Sequence, residues 1–197
     1  MLLEFFITYF LIFTRPVVIT NTVDLTPSFP RVFDQGHSNW CPANAIASVV
    51  NFHEKQINKK SCLISRLDLY YQSRTDPKVD RGTTFERSMR VLENNGICDE
   101  NMWRYDWKQS TSEPPKRCVS HRKVHSDIKP FKIPSNSYCI SYAVRMNHPV
   151  IIGTMLTKSF DNSDITVPTM KEPIVSKHAM VVVGVTADNE YFVIRNS

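Results

Sequence analysis

Cys41 opens the stretch CPANAIASVVNFHEKQ (residues 41–56), whose apolar residues broadly follow a helical stripe. A helix start offers unpaired backbone N–H groups and the positive end of the helix dipole. A cysteine there is drawn toward the thiolate, its nucleophilic form. Pro42 suits the first turn, where a missing N–H costs nothing, with Asn39 or Trp40 at the helix entrance. Far downstream, His178 opens the run HAMVVVGV, which reads as a strand. Asn196 follows eighteen residues later, after a polar turn and a second such run, YFVI. On neighbouring strands the Asn196 amide oxygen can accept from the His178 ring and fix its tautomer. Gln35 lies six residues before Cys41, beside Gly36, on a turn that can fold its amide back over the thiol. That amide N–H, with the backbone N–H of Cys41, would form an oxyanion hole. Singly, a cysteine is more often a small buried hydrophobe and a histidine a satisfied core residue. The ordered set points instead to a thiol nucleophile, its base, an orienting amide and an oxyanion donor.

These residues need two kinds of scaffold. Beyond residues 41–56, helices are predicted over 61–73, over 83–95 ending at Gly96, and over 138–147. Short strands are predicted over 149–155, 180–185 and 191–194. The proline pair 114–115 marks a joint between halves, and the lead-in PSFPRVFDQG is extended. Helices first and strands later indicate an α+β fold with two segregated lobes.

The segment DQGHSNWCPANA resembles the active-site segment of the papain family of cysteine peptidases. KHAMVVVGV is similar to that family's histidine strand and YFVIRNS to its asparagine strand. DRGTTFERSMRVLENNGIC resembles the glycine-bearing loop and helix that line the substrate groove, and HPVIIG the strand entry of the second lobe. The separation of Cys41 and His178, 137 residues, falls in the roughly 130–150 that papain-type enzymes show. The resemblance covers about Asp24 to the C-terminus. It implies a helical N-terminal lobe and an antiparallel, β-barrel-like C-terminal lobe with the cleft between them. It also implies peptide hydrolysis through Cys41, His178 and Asn196, with Gln35 in the oxyanion hole and Gly82 as a backbone contact for the substrate. A Cys41 thiolate paired with a His178 imidazolium would form a thioester, with no metal or organic cofactor. Ser38 stands where many members have a cysteine, and Pro42 replaces the aromatic that commonly follows the nucleophile. Members usually continue past the asparagine with Trp-Gly and further strands. Ending at Ser197, the chain is expected either to be a shortened form, with activity impaired by exposure of the Asn–His bond, or to have that edge closed by something else. A compact form without a long propeptide, of bacterial or viral type, is expected.

Composition sets the remaining bounds. At 197 residues, 42% hydrophobic and 22% charged, the chain reads as one globular domain, expected to be a monomer. Much of the net charge of +5 lies in residues 116–132, where Phe131 is the only aromatic. That argues for a solvated basic loop and against a nucleic-acid groove. Five cysteines leave one unpaired in any pairing scheme, which suits a reactive thiol with up to two bridges, or five thiols in a reducing compartment. Residues 1–23 form an apolar segment, with 24–197 as the peptidase domain. The run 1–13 is too short to span a bilayer, which takes roughly twenty residues. It reads either as a signal or anchor, with secreted or lumenal location following, or as a buried N-terminal segment. Two other functions fit the sequence. One is an inactive homologue that binds peptides or a protein partner. The other is a zinc-stabilised module using Cys118, His121 and His125 with Cys98 or Cys139.

Overall fold

The computed structural model describes residues 21–59, 63–125, 127–161 and 173–197. The apolar run 1–13, the start of the helix expected from residue 61, and Cys62 lie outside the described residues. Helix α1 (Cys41–Asn58) joins two hydrophobic cores. Ala43, Ile46, Ala47 and Val50 face the first core. There they meet α2 (Arg66–Ser73) and α3 (Phe85–Arg90), which runs on into a π-type turn over Val91–Asn95. Ala45 and Phe52 face the second core, built on the inner residues of a β-sheet. Ala45 lets the sheet approach α1 closely, while Phe52, fully buried, fills the space beside it. Phe85 packs against both cores and stitches the lobes together.

The sheet is antiparallel and four-stranded, centred on β3 (Ile174–Val185). Strand β2 (Val150–Thr157) pairs with β3 along Val182 to Ile174, and β1 (Val23–Asp24) continues that edge at Val185 and Gly184. Strand β4 (Phe192–Arg195) takes the opposite edge, with Arg195 across from Val181. Extending this register by one residue sets Asn196 opposite Met180. Side chains alternate along a strand, so Asn196 shares a face with His178. Helix α5 (Ser137–Arg145) covers the second core through Val144.

The helices and strands expected from periodicity are present with shifted ends. Ser65 caps α2 by accepting from the Asp68 N–H, which starts that helix later than residue 61. Strand β3 begins at Ile174, six residues before the apolar run, because pairing with β2 carries it on through exposed residues. The joint between halves is not at prolines 114–115. Helix α4 (Lys116–Ser120) follows them and still belongs to the first lobe. The basic stretch is therefore only partly solvated. Cys118 is buried and bonded to Cys98, and Arg122 makes an ion pair of 2.6 Å with the buried carboxylate of Asp68. Asp68 also accepts from the Cys98 N–H at 3.1 Å.

The Cys98–Cys118 disulfide removes the ligand set of the zinc reading, because a disulfide sulfur is no longer a thiolate. It closes a loop of twenty residues. Replacing both cysteines with alanine is expected to lower the unfolding free energy by about 3 kcal/mol, read as a lower urea midpoint. An unchanged midpoint would mean that Arg122 and Asp68 dock this segment unaided. Among the described residues, no helix is long and apolar enough to cross a membrane.

Candidate active site

Trp40 occupies the entrance of α1 with no side-chain cap bond. It is fully buried, stacked on Tyr70 at 4.8 Å and edge-on to Tyr105 at 5.0 Å. Ring packing thus fixes the first turn of α1. The next residue, Cys41, is left half-buried and packed against the second core. The backbone N–H groups of Ala179 and of Cys41 itself approach its sulfur. Burial pushes the Cys41 thiol pKa up, and these two N–H groups pull it back only in part. The helix start alone leads one to expect a lowered value. Here desolvation outweighs the two N–H groups, which favours the protonated form of the sulfur.

His178 precedes Ala179 on β3, so the strand that touches the sulfur also carries the imidazole. Its Nε2 lies 2.6 Å from Asn196 Oδ1, as the shared sheet face requires. This bond is open to solvent, yet Asn196 is tied down on both sides. Arg195 is buried, donates to the Arg31 carbonyl, and lies over the rings of Phe29 and Phe33. On the other side, the Ser197 hydroxyl donates to Gln35 Oε1 at 3.0 Å.

That last bond fixes which way the Gln35 amide points. Its Nε2 donates one hydrogen to the Ser38 carbonyl at 3.1 Å. An amide nitrogen carries two, so one N–H is left for a ligand. The Gln35 backbone is pinned as well, its carbonyl accepting from the Ser38 hydroxyl at 2.6 Å and the Tyr105 hydroxyl at 2.7 Å. Gly36 makes the turn with φ +58, and a Cβ there would come within 3.0 Å of the Trp107 ring. Gly82, at φ +80, lies beside Asn39, two residues before Cys41. Its N–H is taken by the Tyr70 hydroxyl at 3.0 Å.

The structure thus joins His178 to Asn196, sets Gln35 against Ser197, places Cys41 against Ala179, the residue after His178, and puts Gly82 beside Asn39. Sequence reasoning missed Ser197, Tyr105 and Arg66. Arg66 forms an ion pair with Glu100 at 2.7 Å, donates to Asn44 at 3.1 Å and lies over the Tyr105 ring at 3.8 Å. Through Tyr105 it supports the Gln35 loop. Only Ser197, adjacent to a candidate residue, had a sequence signal that could have found it.

Residues 21–197 match the family model described as papain family cysteine protease. A peptidase C1-like protein of Acanthamoeba polyphaga mimivirus, itself called uncharacterized, is 28% identical over 93% of this chain. The chain spans 66% of that relative's length. Among solved structures, xylellain, a cysteine protease from Xylella fastidiosa, superposes with a TM-score of 0.79 at 26% identity, covering 91% of this chain and 76% of its own. A cysteine protease from Carica candamarcensis in complex with E-64 gives 0.63 at 17% identity, covering 90% and 82%, a likeness of fold.

Proposed function

The chain belongs to the papain family of cysteine proteases, and from that premise we propose that it hydrolyses peptide bonds with Cys41 as nucleophile. The observation that carries this reading is the convergence of Cys41, the strand bearing His178, and Asn196 at one lobe junction. His178 takes the Cys41 proton as the sulfur attacks the scissile carbonyl, which is how a thiol with a raised pKa still serves as nucleophile. Asn196 holds the imidazolium by accepting from Nε2. The second N–H of Gln35 Nε2 and the backbone N–H of Cys41 receive the oxyanion. His178 then protonates the leaving amine, and water cleaves the thioester. The substrate is a peptide or an extended protein segment lying along Gly82. The Cys98–Cys118 bond favours an oxidising compartment.

An epoxide of the E-64 type tests the reading. Stoichiometric labelling of Cys41, absent from Cys41→Ala, is expected. Because burial raises the thiol pKa, the thiolate fraction at neutral pH is small. Alkylation of the ligand-free protein by iodoacetamide should therefore climb with pH toward the alkaline side, about tenfold per unit while the thiol remains protonated. A rate already flat in acid would indicate a resting ion pair with His178. No labelling at any pH would favour the inactive, peptide-binding homologue.

A further inference from the structure

Beside Gly82 lies a depression of about 450 Å³ with an unusual lining. Three arginines, Arg74, Arg81 and Arg87, border it against a single acid, Asp76. Arg81 and Arg87 are exposed, and Arg87 is steadied by the Thr75 hydroxyl. Arg74 is only 7% exposed. Its Nη1 donates to the Val79 carbonyl at 3.3 Å, and its guanidinium lies 4.6 Å from the centre of the Tyr70 ring. Its Nε and Nη2 have no hydrogen-bond partner. A buried guanidinium with donors unsatisfied is costly, and buried cations are normally matched by an anion. Asp80, held by the Tyr70 hydroxyl, is a further acid acting on Arg74. Desolvation still pulls the Arg74 pKa down against the raising influence of Tyr70, Asp80, Tyr71 and Asp76. Three arginines against Asp76 and Asp80 leave one positive charge over, the amount a single carboxylate neutralises.

We propose that this depression is an acid-reading subsite of the cleft, which takes the carboxylate of a glutamate or aspartate side chain in the peptide lying along Gly82. Arg81 and Arg87 are the exposed donors at its mouth, with guanidinium forks that match a carboxylate. Arg74 supplies a desolvated charge beneath them, where low dielectric strengthens its pull. The subsite adjoins the reacting centre through Asn39, whose Nδ2 donates to the Asp80 carbonyl at 3.4 Å and whose backbone lies against Gly82. This inference rests on the peptidase reading and specifies its substrate.

The test uses fluorescein-labelled decapeptides in which one glutamate, or one glutamine, is stepped through an otherwise neutral sequence. Binding to the Cys41→Ala protein is read by anisotropy, and cleavage by the unaltered protein is read as kcat/KM. At one position, glutamate is expected to bind and turn over roughly tenfold better than glutamine. In the Arg81→Gln/Arg87→Gln double variant, both substitutions being on exposed side chains, that ratio should fall to near one. Equal affinity for glutamate and glutamine at every position, or no peptide binding, overturns the subsite. So does a preference that survives the double variant. If the glutamine peptides are cleaved and glutamate gives no advantage, the subsite falls while the peptidase reading stands. If nothing is cleaved and Cys41 takes no label, the peptidase reading falls, and binding to Cys41→Ala decides the subsite by itself.

Discussion

Replacing His178 with alanine is expected to lower kcat/KM by at least about 10⁴-fold, with the fold intact by circular dichroism. Removing the base from a nucleophile–base pair costs about as much as removing the nucleophile, since neither works alone. The dependence is sharper here because burial raises the Cys41 thiol pKa. Without the imidazole, neither the helix start nor the Ala179 N–H supplies enough stabilisation to release the proton. Asn196→Ala should cost far less, about tenfold. Its bond to His178 is open to water, which can replace the lost acceptor, and an exchangeable hydrogen bond contributes about 0.5–1.5 kcal/mol. Comparable losses in the two variants would show that ring orientation, not proton acceptance alone, limits the reaction.

The placement of Cys41 at a helix start and of His178 beside Asn196 was legible because its signals are local. A cysteine followed by a proline and a helical stripe marks a helix start whatever surrounds it. A histidine opening an apolar run and an asparagine closing the next lie on adjacent strands if a polar turn joins them. What could not be read depends on contacts between distant residues without periodicity. Cys98 could have paired with any of four partners, and nothing in its neighbourhood favoured Cys118. The basic stretch looked solvated because charge counting cannot reveal that Arg122 finds Asp68, fifty-four positions away. Local reasoning also placed the Cys41 pKa on the wrong side, because dipole and N–H terms follow from the helix start whereas desolvation follows from tertiary packing. The depression beside Gly82 belongs to the same class, since its arginines come from α3 and from the turn after α2.

Gln35→Ala is expected to reduce kcat by about 10²–10³-fold with little change in KM, the size of effect that one oxyanion donor carries. The loss falls on kcat because charge on the oxygen exists only in the transition state, so the ground-state complex barely registers the missing N–H. Ser197→Ala separates donor from orientation. It leaves the amide in place but removes the hydroxyl that holds Oε1, and should cost tenfold at most, since Ser38 still holds Nε2 from the other side. A Ser197 loss as large as the Gln35 loss would mean that the amide turns over once released, presenting its oxygen to the developing oxyanion. Tyr105→Phe gives the contrasting case. It frees the Gln35 carbonyl from one of two hydroxyl donors while the Arg66 stacking and the Trp40 edge contact persist. If backbone position rather than amide orientation governs the oxyanion site, Tyr105→Phe will be the more damaging of the two.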